Sequence, residues 1–236
     1  MLPFVLMYHS ITDYADYADD PYLITVTPDR LDRQLRWLRR RGLRGTSMGE
    51  LVAAWRSGRA AGLVGLTFDD GYADFAHHAL PVLRRHGCTA TVFVLAGQLG
   101  GHNVWDADGP RKPLLTADQV RAVADAGMEI GSHGLRHVCL AAAEDAVLAE
   151  EVIASRTVLR EISGQPVDGF CYPYGRLDQR AVDAVRAAGY DYGAAIWRSA
   201  FTGPSALPRT YIGDHDRAPH LFAKRIRHRF GFTRKA

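Results

Sequence analysis

Two aspartates, Asp69 and Asp70, stand side by side in "GLTFDDGYADF", directly after an apolar run and before a glycine. Adjacent carboxylates repel, and aspartate disfavours strands, so the pair is costly unless a cation shares it. A second group lies in "SHGLRH", where His133 and His137 are four residues apart. On a helical turn that spacing sets both imidazoles on one side. It resembles half of the HExxH zinc motif, but Gly134 stands where the glutamate base would be, which argues against a zincin. Two imidazoles and one carboxylate make three protein ligands, and a zinc-like ion so held keeps one position open for water. Water on such an ion has a pKa of roughly 7 and is a usable nucleophile at neutral pH. One aspartate would bind the ion and the other would take the proton, both kept ionised by the cation. The plain alternative for "DDG" is a turn with an N-cap to the next helix.

These groups need elements to position them. Short, near-continuously apolar runs recur along the chain: "FVLMYH", "LVGLTFDD", "TATVFVLA", "MEIGSH", "GFCYPYG", "YGAAIW" and "LPRTYIG". Such runs fit parallel strands buried on both faces. Helices with readable ends lie between them. Thr27 and Pro28 start one that Gly42 stops, and others are expected over 72–86, from Thr116 to Gly127, over 144–162, over 176–188 and from about Arg217. Seven strands alternating with helices predict an α/β chain with a parallel sheet, closed as a distorted (β/α)7 barrel, with an open doubly wound sheet as the alternative. No linker breaks the chain, so 1–236 is read as a single domain. Functional groups of such barrels collect at the C-terminal strand ends. Those ends carry His9, Asp69, Asp70, His133, His137, the "YPYG" turn at 172–175 and Arg209.

Bulk composition narrows the classes. With 47% hydrophobic and 23% charged residues, the chain can bury a core. The net charge is +3, but seven arginines fall in "RLDRQLRWLRRRGLR", and seven Lys/Arg with no acid lie from Arg217 to the end. Such runs read as solvated helix faces, with an anionic membrane or acidic partner as the minority reading. No nucleic-acid motif accompanies them, and no nucleic-acid partner is expected. Three cysteines without CxxC spacing argue against a disulfide framework. The start "MLPFVLMYHSITDY" has no basic n-region, so a cytoplasmic location is expected.

"TFDDG" at 67–71, "SHGLRH" at 132–137 and "YPYG" at 172–175 resemble, in order and spacing, the first three motifs of the polysaccharide deacetylases, carbohydrate esterase family 4 or NodB homology domain. The resemblance implies a distorted (β/α)7 barrel that removes acetyl groups from glycans with Zn, Co or Ni. It implies that Asp69 is the catalytic base, that Asp70, His133 and His137 are the metal ligands, and that the Tyr174 backbone N–H helps bind the oxyanion.

The chain departs from the family pattern at three places. The arginine that opens the third motif, and that braces the family's catalytic aspartate, is Cys171 here. The fourth motif is not recognisable, and the fifth, which supplies the general acid, is not found near the C-terminus. "VLMYH", ending in His9, looks like the fifth motif moved to the front, as in poly-N-acetylglucosamine deacetylases. His215 in "GDHDR" is the rival acid, and Arg209 in "LPRTYIG" is the candidate substitute brace. The long insertion "GQLGGHNVWDADGPRKPLL" offers Trp105 for stacking on a sugar, and Asn103 and Asp106 for bonding its hydroxyls.

The expected activity is metal-dependent removal of an N-acetyl group from an amino sugar or glycan, free or nucleotide- or lipid-linked. Two alternatives stand beside it. One is another metal-dependent C–N hydrolase, a deformylase or cyclic amidase. The other is a glycan-binding protein without catalysis.

Overall fold

The computed structural model describes residues 2–13 and 20–230. Of the basic C-terminal run, Arg234 and Lys235 therefore lie outside the described residues. In chain order the first elements are β1 (Val5–Tyr8), β2 (Ser10–Ile11), β3 (Thr25–Val26), α1 (Pro28–Arg39), β4 (Arg44–Thr46), α2 (Met48–Arg56) and β5 (Leu63–Phe68). There follow α3 (Leu80–Arg85), β6 (Thr91–Val94), α4 (Ala117–Asp125), β7 (Glu129–Ser132), α5 (Asp145–Ser163), β8 (Gly169–Cys171) and α6 (Gln179–Ala187). The chain continues through β9 (Tyr192–Ala195), β10 (Leu207–Pro208), β11 (Thr210–Tyr211) and α7 (Ala218–Phe230).

The main sheet runs β10-β9-β8-β7-β6-β5-β1-β11, all parallel, with β4 beside the first half of β5. Its two ends, β10 and β11, are halves of one segment interrupted at Arg209. Leu207 pairs with Ala194 of β9, and Thr210 pairs with Leu6 of β1. That segment bridges both edges and nearly closes a seven-stranded barrel, the expected α/β architecture.

Period two along each strand sorts the side chains. Leu6 and Tyr8 of β1, Val64, Leu66 and Phe68 of β5, and Val92 and Val94 of β6 face the helices in one core. Val5, Phe93, Cys171, Ala194 and Leu207 form a second core with Met48, Leu51 and Val52 of α2, which plugs the barrel floor. A Cβ on Gly65 would lie 2.9 Å from Leu51 and 3.1 Å from Met48, so glycine admits that plug. The same alternation turns Thr67 and Asp69, His133, Cys171 and Arg209 toward the barrel axis at its mouth.

Several element boundaries differ from expectation. The helix predicted over 72–86 begins as a π turn, Phe75–Ala79, before α3. Pro81 has no N–H for the usual i−4 bond, and Leu80 instead donates to the Phe75 carbonyl across a wider turn. The helix predicted over 176–188 starts later, at Gln179, because the Asp178 side chain caps it by accepting from Ala181 N–H. The prediction passed over β4 and α2, whose start is marked by Ser47 accepting from Glu50 N–H. Among the described residues, no helix is long and apolar enough to cross a membrane.

Candidate active site

The mouth is built on neighbouring strands. Tyr8 pairs with Phe68, so the next residues, His9 and Asp69, emerge side by side. Asp69 N–H donates to Tyr8 O at 3.0 Å. Asp70 then takes φ +71°, a left-handed conformation that turns its carboxylate away from that of Asp69. Its Oδ1 lies 3.2 Å from His133 Nε2 and 3.4 Å from His137 Nε2. All three side chains are buried, and their ligand atoms lie within 4.8 Å of one another.

These residues fit a cation. His133 Nδ1 is 2.8 Å from the Cys171 carbonyl, which can only accept, so Nδ1 carries the proton. In a neutral imidazole Nε2 is then a bare lone pair facing the Asp70 oxygen. Two lone pairs meet there unless His133 is itself protonated or a cation lies between them. The backbone contact also fixes the ring as a ligand's outer partner does. Burial would raise the Asp70 carboxyl, but its contacts to His133 and His137 prevail and hold it well below the ordinary value.

The histidine loop is held from α5. Glu151, fully buried, accepts from Leu135 N–H at 2.6 Å, Arg136 N–H at 3.1 Å and Arg136 Nε at 2.8 Å. Gly134 has φ +86°, and a Cβ there would lie 2.7 Å from Glu151 Oε2. The prediction missed Glu151. Its signal was a glutamate on the apolar stripe of α5, beside Leu148, Val152 and Leu159.

Asp69 has a different environment. Arg209 donates from Nη1 to Oδ1 at 2.6 Å and from Nη2 to Oδ2 at 2.8 Å. Its remaining N–H groups reach Ala195 O at 3.2 Å, Thr67 Oγ1 at 3.0 Å and Cys171 Sγ at 3.1 Å. All five guanidinium donors are thereby used. Burial would raise the Asp69 carboxyl, but the Arg209 charge and its bonds prevail and lower it. Burial pushes the Cys171 thiol up, so it stays protonated and lies 3.6 Å from Asp69 Oδ2. His9 Nε2 stands 4.0 Å from the same oxygen, and among the described residues its buried Nδ1 has no hydrogen-bond partner.

Aromatic groups wall the side of the mouth that holds Asp70, His133 and His137. Trp105 stacks on His137 with centroids 4.7 Å apart, and Tyr174 meets the same ring edge-on at 4.5 Å. Tyr174 adopts φ +59° and is 45% exposed at the mouth.

The family profile for polysaccharide deacetylases matches residues 57–193, more than half of the chain. The chain belongs to the polysaccharide deacetylase family. YxkH of Bacillus subtilis is 27% identical over 207 residues, covering 87% of this chain and 66% of the relative. The poly-β-1,6-N-acetyl-D-glucosamine N-deacetylase of Staphylococcus aureus is 21% identical over 234 residues, 94% of this chain and 76% of that enzyme. The chain thus spans about two-thirds to three-quarters of the length of these relatives. Among solved structures, Streptococcus pyogenes deacetylase PplD in complex with acetate superposes with a TM-score of 0.81 at 25% identity, covering 95% of this chain and 98% of that one. IcaB from Ammonifex degensii shares the fold, with a TM-score of 0.78 at 23% identity and coverages of 94% and 96%.

Within this deacetylase barrel the remaining candidates separate. His215 is exposed, 3.7 Å from Asp216 and beside Tyr211 and His220, and the structure does not bring it to Asp69. Asn103 bonds within the insertion itself. It is buried, its Nδ2 donates to Asp106 Oδ2 at 3.3 Å and Pro110 O at 3.1 Å, and its Oδ1 accepts from Lys112 N–H at 2.7 Å. These bonds hold the insertion together and use both of its amide N–H donors. Asp106 is partly exposed and accepts from Tyr72 Oη at 3.0 Å. Burial and the Asp70 charge raise its carboxyl above the ordinary value.

Proposed function

We propose that this chain is a metal-dependent N-deacetylase of an amino sugar or glycan, releasing acetate and a free amine. One observation carries the reading. A buried carboxylate held by an arginine, Asp69, lies beside a separate three-ligand group, Asp70, His133 and His137. When bound there, a divalent ion, Zn by ligand type with Co or Ni as alternatives, supplies Lewis acidity and acidifies water. Asp69, kept ionised by Arg209, accepts the proton of the attacking water. The water oxygen adds to the acetyl carbon, and the Tyr174 N–H is the donor assigned to the developing oxyanion. His9 protonates the departing nitrogen as the C–N bond breaks. Trp105 and Asp106 line the sugar's approach.

The staphylococcal relative's name points to a poly-N-acetylglucosamine type of substrate, and nucleotide- and lipid-linked N-acetyl sugars are chemically equivalent candidates. Acetate release from N-acetylglucosamine oligomers and nucleotide-linked N-acetyl sugars tests the reading, using metal-stripped protein with Zn, Co or Ni restored. Release that depends on metal and falls by about 10²–10⁴ in Asp69→Asn is expected. Release that survives stripping, or is unaltered in Asp69→Asn, would overturn it.

A further inference from the structure

The arginine-rich segment noted in the sequence has no part in the barrel mouth. It forms α1, which packs beside α7 on the outer wall. Between them lies a cleft of about 560 Å³ whose lining includes Arg30, Trp37, Arg40, Arg41, Asp216 and Arg217. None of these belongs to the candidate active site.

Three features separate this cleft from a solvated charged face. First, the guanidinium groups of Arg30, Arg40, Arg41 and Arg217 have no carboxylate partner among the described residues, whereas Arg33 on the same helix pairs with Asp29 at 2.9 Å. Four like charges line one recess and repel, and among the described residues the single carboxylate lining it with them, Asp216, is already paired with Lys224. Second, buried polar atoms of three lining residues have no hydrogen-bond partner among the described residues: Arg30 Nε, Trp37 Nε1 and Asp216 Oδ1. Buried polar groups are rarely left so. Third, one wall is preformed. The Arg41 guanidinium covers the Trp37 ring at 4.2 Å, and Gln34 is tied down by Nε2 bonds to Gly213 O and Asp216 O.

The unpaired groups define a ligand. Guanidinium forks match phosphate oxygens. Asp216 Oδ2 is occupied by Gly213 N–H and Lys224, and Oδ1 stands 3.7 Å from His215 Nε2. Oδ1 is therefore an acceptor for a ligand hydroxyl, while the indole N–H is a further donor. We infer that the α1–α7 cleft binds a phosphate ester that also carries hydroxyl groups, such as a sugar phosphate. The same chemistry is offered by a free phosphosugar and by a phosphoglycerol lipid headgroup.

The test uses the full chain and a binding readout, so it is independent of deacetylase activity. Glucose 6-phosphate is titrated by calorimetry and by tryptophan fluorescence, and phosphatidylglycerol vesicles are compared with phosphatidylcholine vesicles by co-sedimentation. Arg40→Gln/Arg41→Gln is measured against Arg59→Gln/Arg121→Gln, which loses the same charge at exposed sites elsewhere, with melting temperatures checking the fold. Binding of glucose 6-phosphate that weakens about tenfold or more in the cleft variant, but not in the control, is expected for a free ligand. The fluorescence change should vanish in Trp37→Phe. Binding confined to phosphatidylglycerol vesicles, with the same dependence on Arg40 and Arg41, assigns the ligand to a headgroup. No binding to either probe, or equal weakening in both double variants, would overturn the inference.

Discussion

Arg209→Met is the most informative single change. The substitution keeps the volume and removes every donor that the guanidinium supplies. Arg209 is buried, and all five of its N–H groups are engaged, two of them with Asp69. Breaking a buried pair by removing one partner costs about 3–5 kcal/mol, because the other charge stays buried and uncompensated. For a chain of this size that corresponds to a fall in Tm of roughly 10 °C.

The pH dependence identifies the cause. In the wild type the folded Asp69 carboxyl is lowered, against burial, by Arg209. Its stabilisation is present above the unfolded value, about 3.9, and is lost as pH falls through the lower folded value. Without Arg209, burial leaves the folded value above the unfolded one. The penalty is then full at neutral pH and is relieved as pH falls through that raised value. Unfolding in urea, measured on chelator-treated protein at pH 7 and pH 5, should show the gap between the proteins narrowing at pH 5. A double-mutant cycle with Asp69→Asn should return a coupling of about 3 kcal/mol, since the double variant buries no unpaired charge. Costs that add within about 0.5 kcal/mol, or a gap equal at both pH values, would refute the argument.

Zinc at one hundred times its Kd should stabilise the folded protein by about 2.7 kcal/mol, read as a rise in Tm that His133→Ala and His137→Ala abolish. An identical rise in those variants would remove the assigned ligands. Glu151→Gln should weaken metal affinity by about 10–100-fold, as loss of a ligand's outer support does, because the loop N–H groups of Leu135 and Arg136 lose a charged acceptor. Competition with a chromogenic chelator measures it, and unchanged affinity would reduce Glu151 to a fold contact. His9→Ala should lower kcat by about 10²–10⁴ with metal binding intact, while His215→Ala should stay near wild type. The reverse order would hand the acid role to His215.

What the sequence made legible was what period two and residue type carry. Apolar runs ending in Asp, His or Arg gave the seven strands and their mouth, because inward and outward positions alternate strictly. The rest depended on partners remote in sequence. Asn103 reads as a hydroxyl ligand by type, but three contacts inside the insertion fix it. Glu151 stands on the apolar stripe of α5, but the N–H groups it accepts from are known only once the loop above α5 is folded over it. Pro81 was visible, but the π turn that accommodates it depends on the packing of Phe75 and Ala79, both buried. The three-residue β4 is too short for a pattern, whereas the nine-residue α2 that closes the barrel floor is as long as α4 and α6 and carries a readable Ser47 cap.

The placement of His9 and Arg209 shows how far neighbourhood can differ from chain order. His9 precedes Asp69 by sixty residues and Arg209 follows it by 140. Their strands nevertheless flank the same corner. β1 lies between β5 and β11 in the sheet, so the ends of β5, β1 and the Leu207–Tyr211 segment are consecutive around the barrel. Arg209 stands where that segment passes from pairing with β9 to pairing with β1. Interrupting the ladder there leaves its side chain at the seam, where it reaches Ala195 on β9 and Thr67 on β5 as well as Asp69. One residue therefore joins the barrel's two edges and fixes the carboxylate, so closure of the fold and charge balance of the site are coupled. A barrel with parallel strands tolerates a motif supplied from either end of the chain, provided that its strand occupies the right slot. The physical requirement is adjacency at the mouth, and the pairing of Tyr8 with Phe68 meets it.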